Sequence, residues 1–161
     1  MITDWNPFFT AQTGAFAALT GLVFVALSIN LKQILSSPGL PGRAGEAVIV
    51  LVEPVLLGML GLLPRQSVRT LGSELLVIAI VGWVAVTTIV VSGRYALRQR
   101  PFFERASRII VVQTATLLVV AAAALLMTGH RSGLDWEVAG TGFCLVAGMT
   151  DAWVLLIEIL R

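Results

Sequence analysis

The feature that most constrains this chain is a set of five long apolar segments separated by short polar ones. They cover residues 9–29, 47–63, 74–91, 109–127 and 138–160. A helix needs roughly 20 predominantly apolar residues to cross the ~30 Å hydrocarbon layer of a bilayer. Because lipid offers the backbone no hydrogen-bond partners, each segment is predicted to be an α-helix. The sequence therefore predicts an all-α integral membrane protein, a compact bundle of five transmembrane helices forming a single domain over residues 1–161.

The composition agrees with this class and excludes another. Only 12% of the residues are charged and 57% are hydrophobic, whereas soluble domains are about 25% charged. The pI near 9.3 reflects a net charge of only +2, and the basic residues lie at the ends of apolar segments, as membrane topology requires. The expected partner is the lipid bilayer, and nucleic acid is not expected.

The distribution of Lys and Arg predicts the orientation. If all five segments cross with the N-terminus outside, three basic residues lie outside (Arg65, Arg69, Arg131) and eight lie inside (Lys32, Arg43, Arg94, Arg98, Arg100, Arg105, Arg108, Arg161). If the second segment did not cross, the split would be five against six, which is no bias. The positive-inside rule therefore favours five spans with a cytoplasmic C-terminus. The expected location is a cell membrane, such as a bacterial inner membrane.

The connections between segments contain helix-breaking residues. Residues 36–42, with Pro and Gly twice each, are predicted not to continue a helix. Pro64 is predicted to close the second span and Gly129 the fourth. The longest charged stretch, Arg94–Arg105, has interleaved aromatic residues. It is interpreted as either a docking or lipid-headgroup surface, or an interfacial loop with aromatic anchors.

Acidic residues inside the apolar segments are the strongest candidates for function, because each costs about 2.5–3.5 kcal/mol on insertion scales. Glu53 and Asp151 are deep in their segments, and Glu46 and Glu158 are shallower. Glu46 and Glu53 are seven residues apart, and so are Asp151 and Glu158. Because seven residues make nearly two helical turns, the two acids of each pair lie on one face of their helix, about 10 Å apart along its axis. The second and fifth spans run in opposite directions, so Glu46 and Glu158 are both predicted near the inner surface. Arg43 and Arg161 mark that surface, and Glu53 and Asp151 each lie ten residues from one of them, about 15 Å in and near the midplane.

Two interpretations of these acids remain open. They could line a cation or proton pathway. Alternatively, the deep acids could be protonated and hydrogen-bonded as links between helices, and Glu46 and Glu158 would then be interfacial partners of Arg43, Arg108 or Arg161. Further polar residues would extend the pathway, unless they bond to their own helix backbone: Thr20, Ser28, Asn30, Thr87, Thr88, Gln113, Thr114 and Thr116.

Small residues predict close helix packing on two segments. The first segment carries Gly14, Ala18 and Gly21, and the fifth carries Gly140, Cys144 and Gly148 on the Asp151 face. Such faces allow helices to approach closely within a membrane. They predict self-association, with a cyclic homo-oligomer as the expected form. The same prediction follows because a monomer this small is expected to have little interior in which to hide two midplane acids.

No catalytic constellation is visible. The chain has no phosphate-binding glycine loop, zinc-binding helix motif or nucleophile elbow. No metal site, cofactor or enzymatic activity is therefore expected. The leading hypothesis is a small homo-oligomeric cation or proton channel or transporter, with Glu53 and Asp151 lining the pathway and Glu46 and Glu158 at its inner mouth. The alternative is a non-conducting membrane subunit or modulator that docks to a partner membrane complex, and an enzyme acting on lipids ranks last.

Overall fold

The computed structural model describes the backbone of residues 2–92 and 102–159 and the side chains of residues 4–92 and 106–157. Every element in this part of the chain is a helix. After a short 3-10 helix, Ile2–Trp5, these are α1 (Asn6–Ile29), α2 (Leu31–Ser36), α3 (Leu40–Gly61), α4 (Val68–Ser92), α5 (Phe102–Met127) and α6 (Gly133–Ile159). Five of them, all except α2, are long and apolar enough to cross a membrane. The predictions of an all-helical chain and of five span-length helices are confirmed.

The helices begin earlier than the apolar segments predicted. Between the first two segments only residue 30 and residues 37–39 lie outside helices, and α3 already begins at Leu40. The expectation that residues 36–42 interrupt the helix was therefore wrong for Ser36, the last residue of α2, and for residues 40–42. Gly39 has a φ of 88°, in the left-handed region that favours glycine. Pro41 fits the first turn of α3, because the missing N–H would have no intrahelical partner there.

The predicted helix ends are confirmed. α3 stops at Gly61, shortly before Pro64, and α5 stops at Met127. Gly129 follows with a φ of 92°, a left-handed conformation that commonly ends helices.

Four helices form a ring around the interior. α3 packs on α4, α4 on α5, α5 on α6, and α6 returns to α3, while α1 packs mainly on the outer side of α3. Half of the apolar window of α3 is buried, compared with 11% for α1. Helix α3 is therefore the central element of the bundle, and α1 is peripheral.

The two ends of the bundle have different surroundings. We call the end where α1 begins the N-terminal end. There, Asp4 and Trp5 share a surface groove with Val68 at the start of α4 and with Arg131 and Leu134 before and within α6. The end where α6 stops and α5 begins is the C-terminal end. The charged stretch Arg94–Arg105 and the Glu158 side chain, both singled out above, lie outside the described side chains.

Candidate functional site

Four acidic side chains are buried inside the bundle. Glu46 and Glu53 come from α3, and Glu137 and Asp151 come from α6; each is at most 3% exposed. The sequence identified three of them, but Glu137 was missed. Since α3 and α6 contact each other and run in opposite directions, the four acids lie along one helix pair.

At the C-terminal end, two of the acids bind arginines. The Arg108 side chain of α5 donates from Nη2 to Glu46 Oε2, and its Nε lies 3.7 Å from Asp151 Oδ1. Arg43 Nε lies 3.6 Å from the same Asp151 oxygen. We call Arg43, Glu46, Arg108 and Asp151 the four-charge cluster. Its two guanidinium groups offset its two carboxylates, which reduces the cost of burying them.

The contacts in this cluster show that the predicted depth of Asp151 was wrong. Glu46 and Asp151 contact one guanidinium, so they lie at the same level, whereas the sequence placed Asp151 level with Glu53. The prediction used Arg43 to mark the membrane surface. In the structure Arg43 belongs to the start of α3, and its side chain reaches Asp151 on another helix.

Glu53 lies further into the bundle and has a different environment. It is seven residues beyond Glu46, about 10 Å along α3. Neither of its carboxyl oxygens has a hydrogen-bond partner in the described part of the chain. A Cβ atom placed on Gly82 of α4 would lie 2.9 Å from the Glu53 carboxyl carbon. The carboxyl group therefore occupies space that a side chain at position 82 would fill.

Glu137 lies nearer the N-terminal end and is held by neutral donors. Its Oε1 accepts hydrogen bonds from Gln12 Nε2 at 2.9 Å and from Thr141 Oγ1 at 3.2 Å. Gln12 Nε2 also donates to the Pro54 carbonyl oxygen at 2.9 Å. One glutamine thus connects α1, α3 and α6 around Glu137.

The sequence contained a signal for Glu137. Glu137, Cys144 and Asp151 follow one another at seven-residue intervals and share one buried face of α6. The predicted fifth segment began at residue 138, and this boundary excluded Glu137. Starting the helix at its true first residue, Gly133, would have included it.

The four acids occupy three levels between the two ends. Fourteen residues separate Glu137 from Asp151 on α6, which corresponds to about 21 Å of helix. Glu53 lies between these levels, because it is one heptad closer to the N-terminal end than Glu46. We call Glu137, Glu53, Glu46 and Asp151 the acid line. It extends over about two thirds of a ~30 Å hydrocarbon layer.

Most of the predicted polar lining forms bonds elsewhere. Five of these side chains donate to carbonyl groups three or four residues earlier in their own helices, namely Thr20, Ser28, Asn30, Thr88 and Thr116. Gln113 accepts from Trp83 Nε1 at 2.8 Å and donates to Thr87 Oγ1 at 3.1 Å, which connects α5 to α4. Thr114 is half-buried. None of the described hydrogen bonds joins this group to the acid line.

The two small-residue faces differ in their surroundings. On α6, a Cβ atom at Gly140 would lie 2.8 Å from Val119 Cγ2 of α5, and one at Gly148 would lie 2.5 Å from Leu51 Cδ2 of α3. Cys144, between them, is buried. The α6 face therefore packs within the chain. On α1, Gly14 and Gly21 have no atom within 4 Å of the added Cβ, and Ala18 is exposed.

The described residues contain no group of three or more His, Cys, Asp or Glu side chains that could hold a metal ion. The acids of the line are instead distributed among separate levels, one or two at each level.

No protein-family model, curated protein or solved structure matches this chain. The functional conclusion therefore depends on the chemistry of its own buried side chains.

Proposed function

We propose that this chain is a five-span membrane protein, with its N-terminus outside and its C-terminus in the cytoplasm, that passes cations or protons along the acid line. The observation that carries the proposal is the environment of Glu53. This carboxyl group is 3% exposed, yet both of its oxygens lack a hydrogen-bond partner in the described part of the chain.

The environment of Glu53 argues against a purely structural role. A buried polar group normally stabilises a protein only through the hydrogen bonds it forms, and an unpaired one is destabilising. A carboxyl group that links helices would accept from, or donate to, a neighbouring side chain. Among the residues whose side chains are described, Glu53 does neither, so these contacts give its burial no structural explanation. An exchangeable partner, such as a proton, a cation or water, would supply the missing interaction.

The remaining acids give Glu53 neighbours on both sides. Glu137 lies toward the N-terminal end, where Gln12 Nε2 binds both Glu137 and the carbonyl oxygen of Pro54, the residue after Glu53. Glu46 and Asp151 lie toward the C-terminal end, about 10 Å away along the helices. Intramembrane carboxyl groups arranged in series are the usual elements of proton relays and cation pathways. Because a 10 Å step exceeds the length of a hydrogen bond, water molecules would bridge the levels.

The proposed orientation places the four-charge cluster near the cytoplasmic surface. Arg43 and Arg108 belong to the set of eight basic residues on that side, and three are on the other. This asymmetry supports the orientation through the positive-inside rule.

The proposal is tested by Glu53→Gln in purified protein reconstituted into liposomes. The amide is nearly isosteric with the carboxyl group but cannot ionise, so proton and cation flux is expected to fall to the background of empty liposomes. Glu74→Gln is the matched control. Glu74 lies on α4, accepts a hydrogen bond from Gln66 and is not part of the acid line. Wild-type flux in a folded Glu53→Gln variant would contradict the proposal.

A second candidate function is a non-conducting membrane subunit or modulator. The exposed small-residue face of α1 supports it, because Gly14 and Gly21 would admit a closely packed helix from another protein. Purification from the native membrane would then yield a stoichiometric partner. A pure, symmetric homo-oligomer would contradict this candidate.

A further inference from the structure

Within the described residues, Glu137, Glu46 and Asp151 each have one carboxyl oxygen with a partner and one without, and both oxygens of Glu53 are without one. Glu137 accepts hydrogen bonds through Oε1, and none of the described side chains or backbone groups is a hydrogen-bond partner of its Oε2. Glu46 is bound through Oε2 and Asp151 through Oδ1, while Glu46 Oε1 and Asp151 Oδ2 have no hydrogen-bond partner in the described part of the chain. As far as the chain is described, every level therefore has a carboxyl oxygen without a hydrogen-bond partner.

A proton and a metal cation place different demands on such a line. A proton binds through a single lone pair, and it leaves when that O–H bond breaks and a new one forms on the next oxygen or bridging water. A metal cation must exchange most of its hydration shell for several protein oxygens at once. Where the structure describes side chains, no three acids come together to supply them.

The four-charge cluster increases this difference. Guanidinium groups remain charged at all relevant pH values, and Arg43 and Arg108 occupy the same level as the acids they bind. The two guanidinium groups already pair with both carboxylates of this level. A metal cation arriving there would find no uncompensated negative charge and would have to displace an arginine to gain oxygen ligands. A proton could instead bind Glu46 Oε1 while Oε2 keeps its contact with Arg108.

From these contacts we infer that the transported ion is the proton, and that Arg43 and Arg108 exclude metal cations at the cytoplasmic end of the line. This inference rests on the proposed function and specifies its substrate.

The test measures currents or reversal potentials of wild-type protein reconstituted into planar bilayers, with pH, Na⁺ and K⁺ gradients varied separately. The reversal potential is expected to follow the pH gradient and to remain unchanged when Na⁺ or K⁺ is replaced by a large organic cation. A reversal potential that follows Na⁺ or K⁺ at constant pH would overturn the inference and leave the proposed function standing. The absence of any protein-dependent current would overturn both.

Arg108→Gln supplies the second part of the test, with Arg43→Gln as a parallel variant in case Arg108→Gln fails to fold. Loss of one fixed positive charge is expected to raise Na⁺ or K⁺ flux by about tenfold or more, because a unit charge at such close range outweighs one factor of ten. Arg69→Gln, an exposed arginine at the other end of the bundle, is the control. Unchanged metal-cation exclusion in a folded variant of either cluster arginine would contradict the role assigned to it.

Discussion

Arg108 has a position that a cation rarely occupies in an apolar helix, because its guanidinium group lies between carboxylates from two other helices. Its contacts with Glu46 and Asp151 connect α5 to α3 and α6. Glu46 is completely buried, so its charge depends on Arg108 for compensation. Breaking a buried pair by removing one partner is far more destabilising than the pair is stabilising relative to an apolar substitute, since the other charge remains buried.

This asymmetry predicts the effect of Arg108→Met on stability. The variant retains much of the apolar stem but removes the cation that is hydrogen-bonded to Glu46, and the free energy of unfolding should fall by about 3 kcal/mol or more. Equilibrium unfolding of the purified protein in mixed micelles measures this change in the free energy of unfolding. Arg69→Met, at an exposed arginine, is the control. Adding Glu46→Gln should recover part of the loss. Additive losses in the double variant would show that Glu46 and Arg108 do not act as a pair.

The acids of the site were easier to predict than their partners. Glu46, Glu53 and Asp151 stand out because acids are rare in apolar segments, and a single segment suffices to recognise them. Their levels depend on contacts between distant residues, such as the 62 positions between Glu46 and Arg108. No local pattern reveals where a long arginine side chain will reach. The unpartnered state of Glu53 also depends on several helices together.

At the scale of helices, glycines determine how closely neighbours approach. A Cβ atom at Gly72 of α4 would overlap backbone atoms of Leu126 and Met127 in α5, and backbone cannot rotate away as a side chain can. Gly142 of α6, in contrast, has nothing within 4 Å. The same substitution should therefore have opposite effects at the two positions.

Gly72→Ala is expected to push α4 and α5 apart and to lower the free energy of unfolding by about 1–3 kcal/mol, the usual cost of overpacking. Gly142→Ala should be neutral or stabilising by up to about 1 kcal/mol, because alanine loses less backbone entropy in a helix. Thermal unfolding followed by circular dichroism compares the two variants. Equal effects at both positions would contradict the close contact between α4 and α5.

Helix identity was predictable from sequence, whereas helix starts were not. A long apolar segment in lipid can satisfy its backbone only as a helix, so five helices follow directly from the hydropathy pattern. The first turns, such as Leu40–Gly42 of α3 and Gly133–Glu137 of α6, contain polar, Pro or Gly residues that hydropathy does not assign to a span. This difference at the start of α6 is the reason that Glu137 was missed.

At the scale of the whole molecule, the acid line is complete within one chain. The buried acids lie inside the bundle, held by α3, α5, α6 and Gln12 of α1. The sequence suggested that a chain of this size had too little interior to hide such acids and so required other copies. The ring of four helices provides that interior, so self-association is not needed to bury them. The prediction of self-association therefore depends on the exposed small-residue face of α1.

If copies of this chain associate through α1, bulky substitutions on its exposed glycines should separate them. Gly14 and Gly21 have open space around them, so Gly14→Leu combined with Gly21→Leu should leave the fold of one chain intact. If α1 helices from different copies pack through these glycines, the bulky side chains should hold them apart and reduce the oligomer to monomers. Light scattering in detergent measures the mass, and Gly142→Leu, at another open glycine, is the control. An unchanged mass would exclude this face as the contact. Retained flux in a monomeric variant would show that one chain forms the complete pathway.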